Sequence, residues 1–145
     1  MQENVHTPQY VQLHNHSEYS LLDGAIRIQS LVKWAKDHGQ KSVALTDHGN
    51  FFGAVDFYKA AKAADINPII GCEVLYKFDD SFLSAKSTGT AHLVLLAKTM
   101  KGYKHLIKLV SDSYLNNHQD PFVTKEELKE HSEDVIALSL SLIHI

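Results

Sequence analysis

The chain of 145 residues contains a single cysteine, Cys72. No internal disulfide can form, and a disulfide-stapled secreted scaffold is excluded. No apolar run reaches the roughly 18 residues that a membrane-spanning helix needs. Positive charge is also scarce: 14 Lys and Arg stand against 17 Asp and Glu, a formal charge of −3. That balance excludes a bulk-electrostatic nucleic-acid binder, which would show a basic face or tail. There is no Gly-rich phosphate loop, no Gly-x-Ser-x-Gly elbow and no kinase signature. The opening residues Met1 to His6 lack the basic and apolar regions of a secretory signal, so a cytoplasmic location is expected. No internal repeat or low-complexity tract is visible.

What the chain does have is a core and an excess of histidine. Apolar residues make up 44%, close to the globular norm of roughly 45–50%. Ten residues are histidine, the commonest metal ligand among side chains, so their placement decides the functional reading.

The pattern alternates strands and helices. Tyr10 to Leu13 reads as a short strand leading into His14-Asn15-His16. A helix is expected over 28–38, with Ile28, Leu31 and Ala35 on one face and Gly39 ending it. Ser42 to Thr46 reads as a buried strand. Asn50 is placed to cap the next helix, in which Phe51, Val55 and Tyr58 recur at helical spacing up to Ala64. Pro68 breaks that helix and a third strand carries Ile69 to Val74. Residues 77–90 read as a loop or irregular hairpin, and His92 to Ala97 as a fourth strand. A helix follows over 102–116 with Tyr103, Leu106, Ile107 and Val110 inward. Thr124 is placed to cap a short helix over 125–130, before a fifth strand over 134–138. Such alternation predicts a parallel sheet, open or closed into a barrel. A closed barrel usually takes about 250 residues, so five strand units make an open sheet or part of a barrel.

Polar groups gather where these strands end. His14 and His16 close the first, Asp47 and His48 the second and Glu73 the third, and parallel α/β sheets build their sites at carboxyl ends. Residues i and i+2 of an extended segment share a face, so His14 and His16 can grip one cation. Alone they would read as exposed loop histidines; with Asp47, His48 and Glu73 beside them they read as metal ligands. Asp23-Gly24 can swing a carboxylate to the same place or simply make a turn. His92 lies at the end of its strand opposite the expected rim, and reads equally as a structural histidine. His6, His38, His105, His118, His131 and His144 read as surface residues. Cys72 reads as a small buried apolar residue, and Lys98, Lys101, Lys104 and Lys108 as a solvated helix face.

Imidazoles mixed with carboxylates suit Zn²⁺, Mn²⁺ or Fe²⁺ better than Mg²⁺ or Ca²⁺. Two or three such ions a few Å apart activate water and neutralise a phosphate ester. Phosphoester hydrolysis is the natural chemistry, with mononuclear amide or ring hydrolysis as the competitor.

Three stretches carry a family resemblance: Leu13-His14-Asn15-His16-Ser17-Glu18-Tyr19-Ser20-Leu21-Leu22-Asp23-Gly24, Ala44-Leu45-Thr46-Asp47-His48-Gly49-Asn50 and Pro68-Ile69-Ile70-Gly71-Cys72-Glu73. They resemble the first motifs of the PHP (polymerase and histidinol phosphatase) domain, in the version found at the N-terminus of bacterial replicative DNA polymerase alpha subunits. Gly53 to Ala61, His92 to Ala97 and Gly102 to Val110 extend the likeness over residues 10–139. The resemblance implies an α/β fold, part of a distorted seven-stranded (β/α) TIM-like barrel that stops after about five strand units. It implies metal ligation by His14, His16, Asp23, His48, Glu73 and His92, with Asp47 orienting His48, and up to three divalent ions in a complete domain, Zn or Mn first among them. It implies a 3′–5′ exonuclease-type phosphoesterase in a replicative polymerase, with DNA and other replicase subunits as partners of the whole protein. A histidinol-phosphatase type enzyme and a non-catalytic platform for a proofreading subunit are the alternatives. The sequence departs from the family near its end. Ser141 stands where a ligand cysteine falls, 141–145 leave the family pattern as a truncated end would, and neither the later Asp-x-His pair nor the polymerase palm is present.

Overall fold

The structure, a computed structural model, describes residues 10–77, 89–116 and 121–139. In chain order these form α1 (Ile28–Asp37), β1 (Ser42–Leu45), α2 (Ala54–Ala63), β2 (Asn67–Lys77), β3 (Thr90–Ala97), α3 (Met100–Asn116), α4 (Lys125–Glu130) and β4 (Val135–Ser139). The expected connection over 77–90 lies almost wholly outside the described residues. So do His6, His118, His144 and Ser141.

The four strands form one sheet in the order β1-β2-β3-β4. Only β1 and β2 run parallel, joined by α2 as a crossover. β2 pairs antiparallel with β3, and β3 antiparallel with β4, which corrects the expectation of a parallel sheet. Two connections explain the reversal. Strands β2 and β3 are consecutive and pair from Lys77 opposite Thr90 to Gly71 opposite Leu96, the hairpin register that antiparallel neighbours take without a crossover. Between β3 and β4 stand two helices, and the second brings the chain back to the end of β3 that it left: Lys98 N–H donates to Asp134 C=O over 2.9 Å.

The expected first strand is not one. Ala44 N–H donates to Gln12 C=O and Thr46 N–H to Asn15 C=O, but side chains supply the rest of the pairing. Asn15 Nδ2 donates to Ala44 C=O over 3.0 Å, and Thr46 Oγ1 accepts from Asn15 N–H over 3.0 Å. The segment before His16 is thus stitched to the edge of β1 through an amide and a hydroxyl instead of a regular ladder.

Two clusters make the core. Ile28, Leu31, Val32 and Ala35 of α1 pack with Val43 and Leu45 of β1 and Phe57 and Ala61 of α2. Cys72 and Val74 of β2 pack with Leu95, with Leu106, Leu109 and Val110 of α3, and with Val123. Helix α1 ends as expected, with Gly39 at φ +68° and Gln40 N–H donating to Ala35 C=O. Thr124 caps α4 in a full capping box with Glu127. Helix α2 differs from expectation. Its N-cap is Gly53, while Asn50 Oδ1 accepts from Phe52 N–H one turn earlier. Its buried face is Ala54, Phe57 and Ala61, leaving Val55 and Tyr58 about half exposed. In α3, Leu109 replaces Ile107 in the inward stripe.

Candidate metal centre

The sheet directions bring the site together. Strand β2 outruns β1, so Glu73 sits inside β2 and not at its end, where His48 bridges to it just past the end of β1. Because β3 runs antiparallel to β2, the start of β3 lies beside the same region. His92 pairs with Leu75, and Glu73 with Val94. His92 and Glu73 are therefore diagonal neighbours on one sheet face. The hairpin places His92 on the rim, not at the opposite end.

Glu73 is the hub, with its side chain only 5% exposed. Oε2 lies 2.5 Å from His14 Nε2 and 3.2 Å from His16 Nε2. Oε1 lies 3.1 Å from His48 Nδ1 and 2.5 Å from His92 Nδ1. Each oxygen faces one pair of imidazoles. Two groups of possible ligand atoms result, His14–His16–Glu73 and His48–Glu73–His92, each with its atoms within 4.8 Å of one another. Asp23 is in neither group; its charge is felt at His48.

The donor set fits a divalent transition ion. Two nitrogens bound to one tetrahedral zinc at about 2.05 Å stand about 3.3 Å apart. His14 Nε2 and His16 Nε2 are 3.2 Å apart, and His16 and His48 keep similar distances to Glu73. The 2.5 Å pairs are at direct hydrogen-bond contact. Electrostatics agrees with a carboxylate kept charged. Burial pushes the Glu73 carboxyl up, but hydrogen bonds from His48 and His92 and the charge of His16 outweigh it and hold it well below the usual carboxylate range. The same hydrogen bond with Glu73 raises His48 above the ordinary imidazole value.

Asp47 bears on His48 indirectly. Its buried carboxylate makes no hydrogen bond with the His48 ring; Oδ1 accepts from Ser17 N–H at 2.6 Å and Ser20 Oγ at 2.7 Å, and Oδ2 from Ser17 Oγ at 2.8 Å. It reaches His48 only through Ser20, whose Oγ accepts from His48 N–H over 3.0 Å. Ser17 and Ser20 lie within the first family stretch, but nothing in the sequence singles them out as partners of Asp47, since serines beside a turn are ordinary.

Among the described residues, the others singled out lie outside the cluster. His38 is exposed and stacks on Trp34, and His105 and His131 lie against each other away from the site. Lys101 and Lys108 form exposed ion pairs with Glu133 and Asp112. Cys72 is fully buried, and burial pushes its thiol up to about 12. The folded protein is therefore expected to resist alkylation by iodoacetamide at pH 8 and to react fully once unfolded in guanidinium. Rapid labelling of the native chain would contradict the packing described.

The chain has relatives in sequence and in fold. The PHP domain family profile matches residues 12–144. The chain belongs to the PHP domain family. The DNA polymerase III alpha subunit of Helicobacter pylori (strain 26695) is 47% identical over 134 residues, which cover 92% of this chain and 11% of that protein. The corresponding subunit of Thermus aquaticus is 43% identical over 137 residues, 90% of this chain and 11% of that one. This PHP chain thus spans about a tenth of the length of these relatives. Among solved structures, one assigned as a metal-dependent phosphoesterase from Bifidobacterium adolescentis superposes with a TM-score of 0.56 at 19% identity, over 75% of this chain and 34% of that one. An amidohydrolase from Chromobacterium violaceum gives 0.54 at 24% identity, over 73% and 34%. These likenesses concern the fold: a mixed α/β arrangement around a four-stranded sheet. Among the described residues no helix is long and apolar enough to cross a membrane.

Proposed function

We propose that this PHP chain is the opening part of a metal-dependent phosphoesterase domain carried by a replicative DNA polymerase alpha subunit. The observation that supports it is Glu73, one buried carboxylate whose two oxygens each face a pair of imidazoles. In this reading His14, His16, His48, Glu73 and His92 hold divalent ions, Zn or Mn, and Asp23 completes the shell from its neighbouring turn. Bound ions supply the positive charge that offsets a phosphate ester and eases attack by water. The chain's own residues hold that charge in place: β2 and β3 fix Glu73 and His92, and Asp47 with Ser17 and Ser20 fixes the segments carrying His16 and His48. The substrate in this reading is the 3′-terminal phosphodiester of DNA, an ester whose charge such a centre suits, in a chain whose relatives are DNA polymerase subunits. The remaining strands of a (β/α)7 barrel, the polymerase module, and the contacts with DNA and other replicase subunits belong to the longer protein, whose setting is the cytoplasm.

The test combines metal content with hydrolysis. The chain purified with Mn²⁺ or Zn²⁺ is expected to retain about two ions, and His14→Ala/His16→Ala about one. An oligonucleotide labelled at its 3′ end is expected to lose its terminal nucleotide in the longer protein, and the same double substitution to abolish that loss. Metal content unchanged by the double substitution would refute the centre. Metal without nucleotide release would leave a platform instead of an enzyme, and phosphate release from small monoesters alone would favour a phosphatase of the histidinol-phosphate type.

A further inference from the structure

We infer that Ser20 is a positioning residue for the metal cluster, fixing the Asp23 turn and the His48 turn against each other through the buried carboxylate of Asp47. Ser20 is 1% exposed and every polar atom of its side chain is used. Its Oγ donates to Asp47 Oδ1 over 2.7 Å and accepts from His48 N–H over 3.0 Å. Its carbonyl accepts from Asp23 N–H over 3.1 Å and Gly24 N–H over 2.8 Å. One residue therefore touches the backbone on which Asp23 sits, the backbone on which His48 sits, and the carboxylate between them.

Asp47 extends the same fixation. Its carboxylate takes both the N–H and the hydroxyl of Ser17, the residue after His16, and its carbonyl accepts from Glu73 N–H over 3.0 Å. Four of the proposed ligands, His16, Asp23, His48 and Glu73, thus hang on neighbouring backbone tied to Asp47 directly or through Ser20. The Asp23 turn also contains Leu22 at φ +75° with its side chain fully exposed. An L-residue adopts that conformation only where its surroundings impose it, and the two bonds to the Ser20 carbonyl are what the turn closes on. Partners that orient metal ligands in this way typically govern affinity by about 10–100-fold.

The inference rests on the metal reading above, and its test separates the two. Co²⁺ is titrated into the 145-residue chain and into Ser20→Ala, with visible absorption reporting ligand geometry and thermal melting of the metal-free protein reporting the fold. Ser20→Ala is expected to melt cooperatively, to bind Co²⁺ at least about tenfold more weakly and to show a changed absorption band. Affinity within about threefold of the parent, or an unaltered band, overturns the positioning role and leaves the metal centre standing. A parent that binds no Co²⁺ overturns both. Should Ser20→Ala fail to fold, amide exchange in the parent decides: the His48 N–H is expected to be strongly protected in the metal-free protein, and exchange at the rate of an open loop overturns the proposal.

Discussion

Glu73→Gln is expected to abolish cation binding by both halves of the cluster at once, lowering affinity by more than about 100-fold, while lowering the melting temperature of the metal-free chain by only about 2–4 °C. The first half of that expectation follows from how the carboxylate is divided. Oε2 faces His14 and His16, and Oε1 faces His48 and His92, so no other substitution touches both groups. An amide keeps the shape but loses the charge and retains one weak oxygen. Partners beyond the ligands already govern affinity by about 10–100-fold, and loss of a shared charged ligand exceeds that. The second half follows from exposure. The four imidazole side chains are 20–42% exposed, so water can take over the hydrogen bonds they lose when the carboxylate is gone. Glutamine can still donate to one pair and accept from the other, and no unpaired buried charge remains, which limits the cost to about 1 kcal/mol. Metal analysis after dialysis, together with calorimetry in chelator, checks both halves. Two ions retained per chain by Glu73→Gln would remove the basis for a shared carboxylate.

How much of this was legible beforehand depends on whether the information is local. His14 and His16 were legible because the period of an extended segment is a property of the chain itself. Gly39 and the Thr124 cap were legible for the same reason. His92 was not. Its place on the rim comes from β3 running antiparallel to β2, and nothing within His92 to Ala97 encodes the direction of the neighbouring strand. The segment 10–13 misled because its alternation suits a strand, while the pairing with β1 is made by the Asn15 amide and the Thr46 hydroxyl. In α2 the expected stripe was out of phase because Val55 and Tyr58 are larger than Ala54 and Ala61 and draw the eye as core residues. Close packing against β1 prefers the small residues, with Phe57 as the one large knob. The hydrogen-bond partners of Asp47 were not legible, since sequence adjacency to His48 says nothing of where a buried carboxylate finds its donors.

Gly24→Ala is expected to destabilise the chain by about 3 kcal/mol, roughly 6–12 °C in melting temperature for a domain of this size, and to weaken metal binding with it. A Cβ at Gly24 would stand 2.0 Å from the Ser17 carbonyl oxygen, 2.9 Å from its carbon and 3.2 Å from the His16 carbonyl carbon. All three are backbone atoms, so no side chain can swing aside. Neither side of the contact is free to move cheaply. Ser17 is pinned to Asp47, the turn is closed by Glu18 N–H donating to Ile26 C=O, and Gly24 N–H is held by Ser20. Separating them breaks either the Asp47 contacts behind His16 or the turn that carries Asp23. Gly39→Ala is the control. Gly39 has φ +68° and open space where a Cβ would go, so alanine there meets only the left-handed backbone penalty of about 1–2 kcal/mol and leaves metal binding intact. Equal melting shifts for the two variants would mean that the 17–24 turn does not pack as closely as described. A large shift in Gly24→Ala with unchanged Co²⁺ affinity would detach the turn from the cluster, because the backbone displaced by that Cβ is the backbone on which His16 and Asp23 stand.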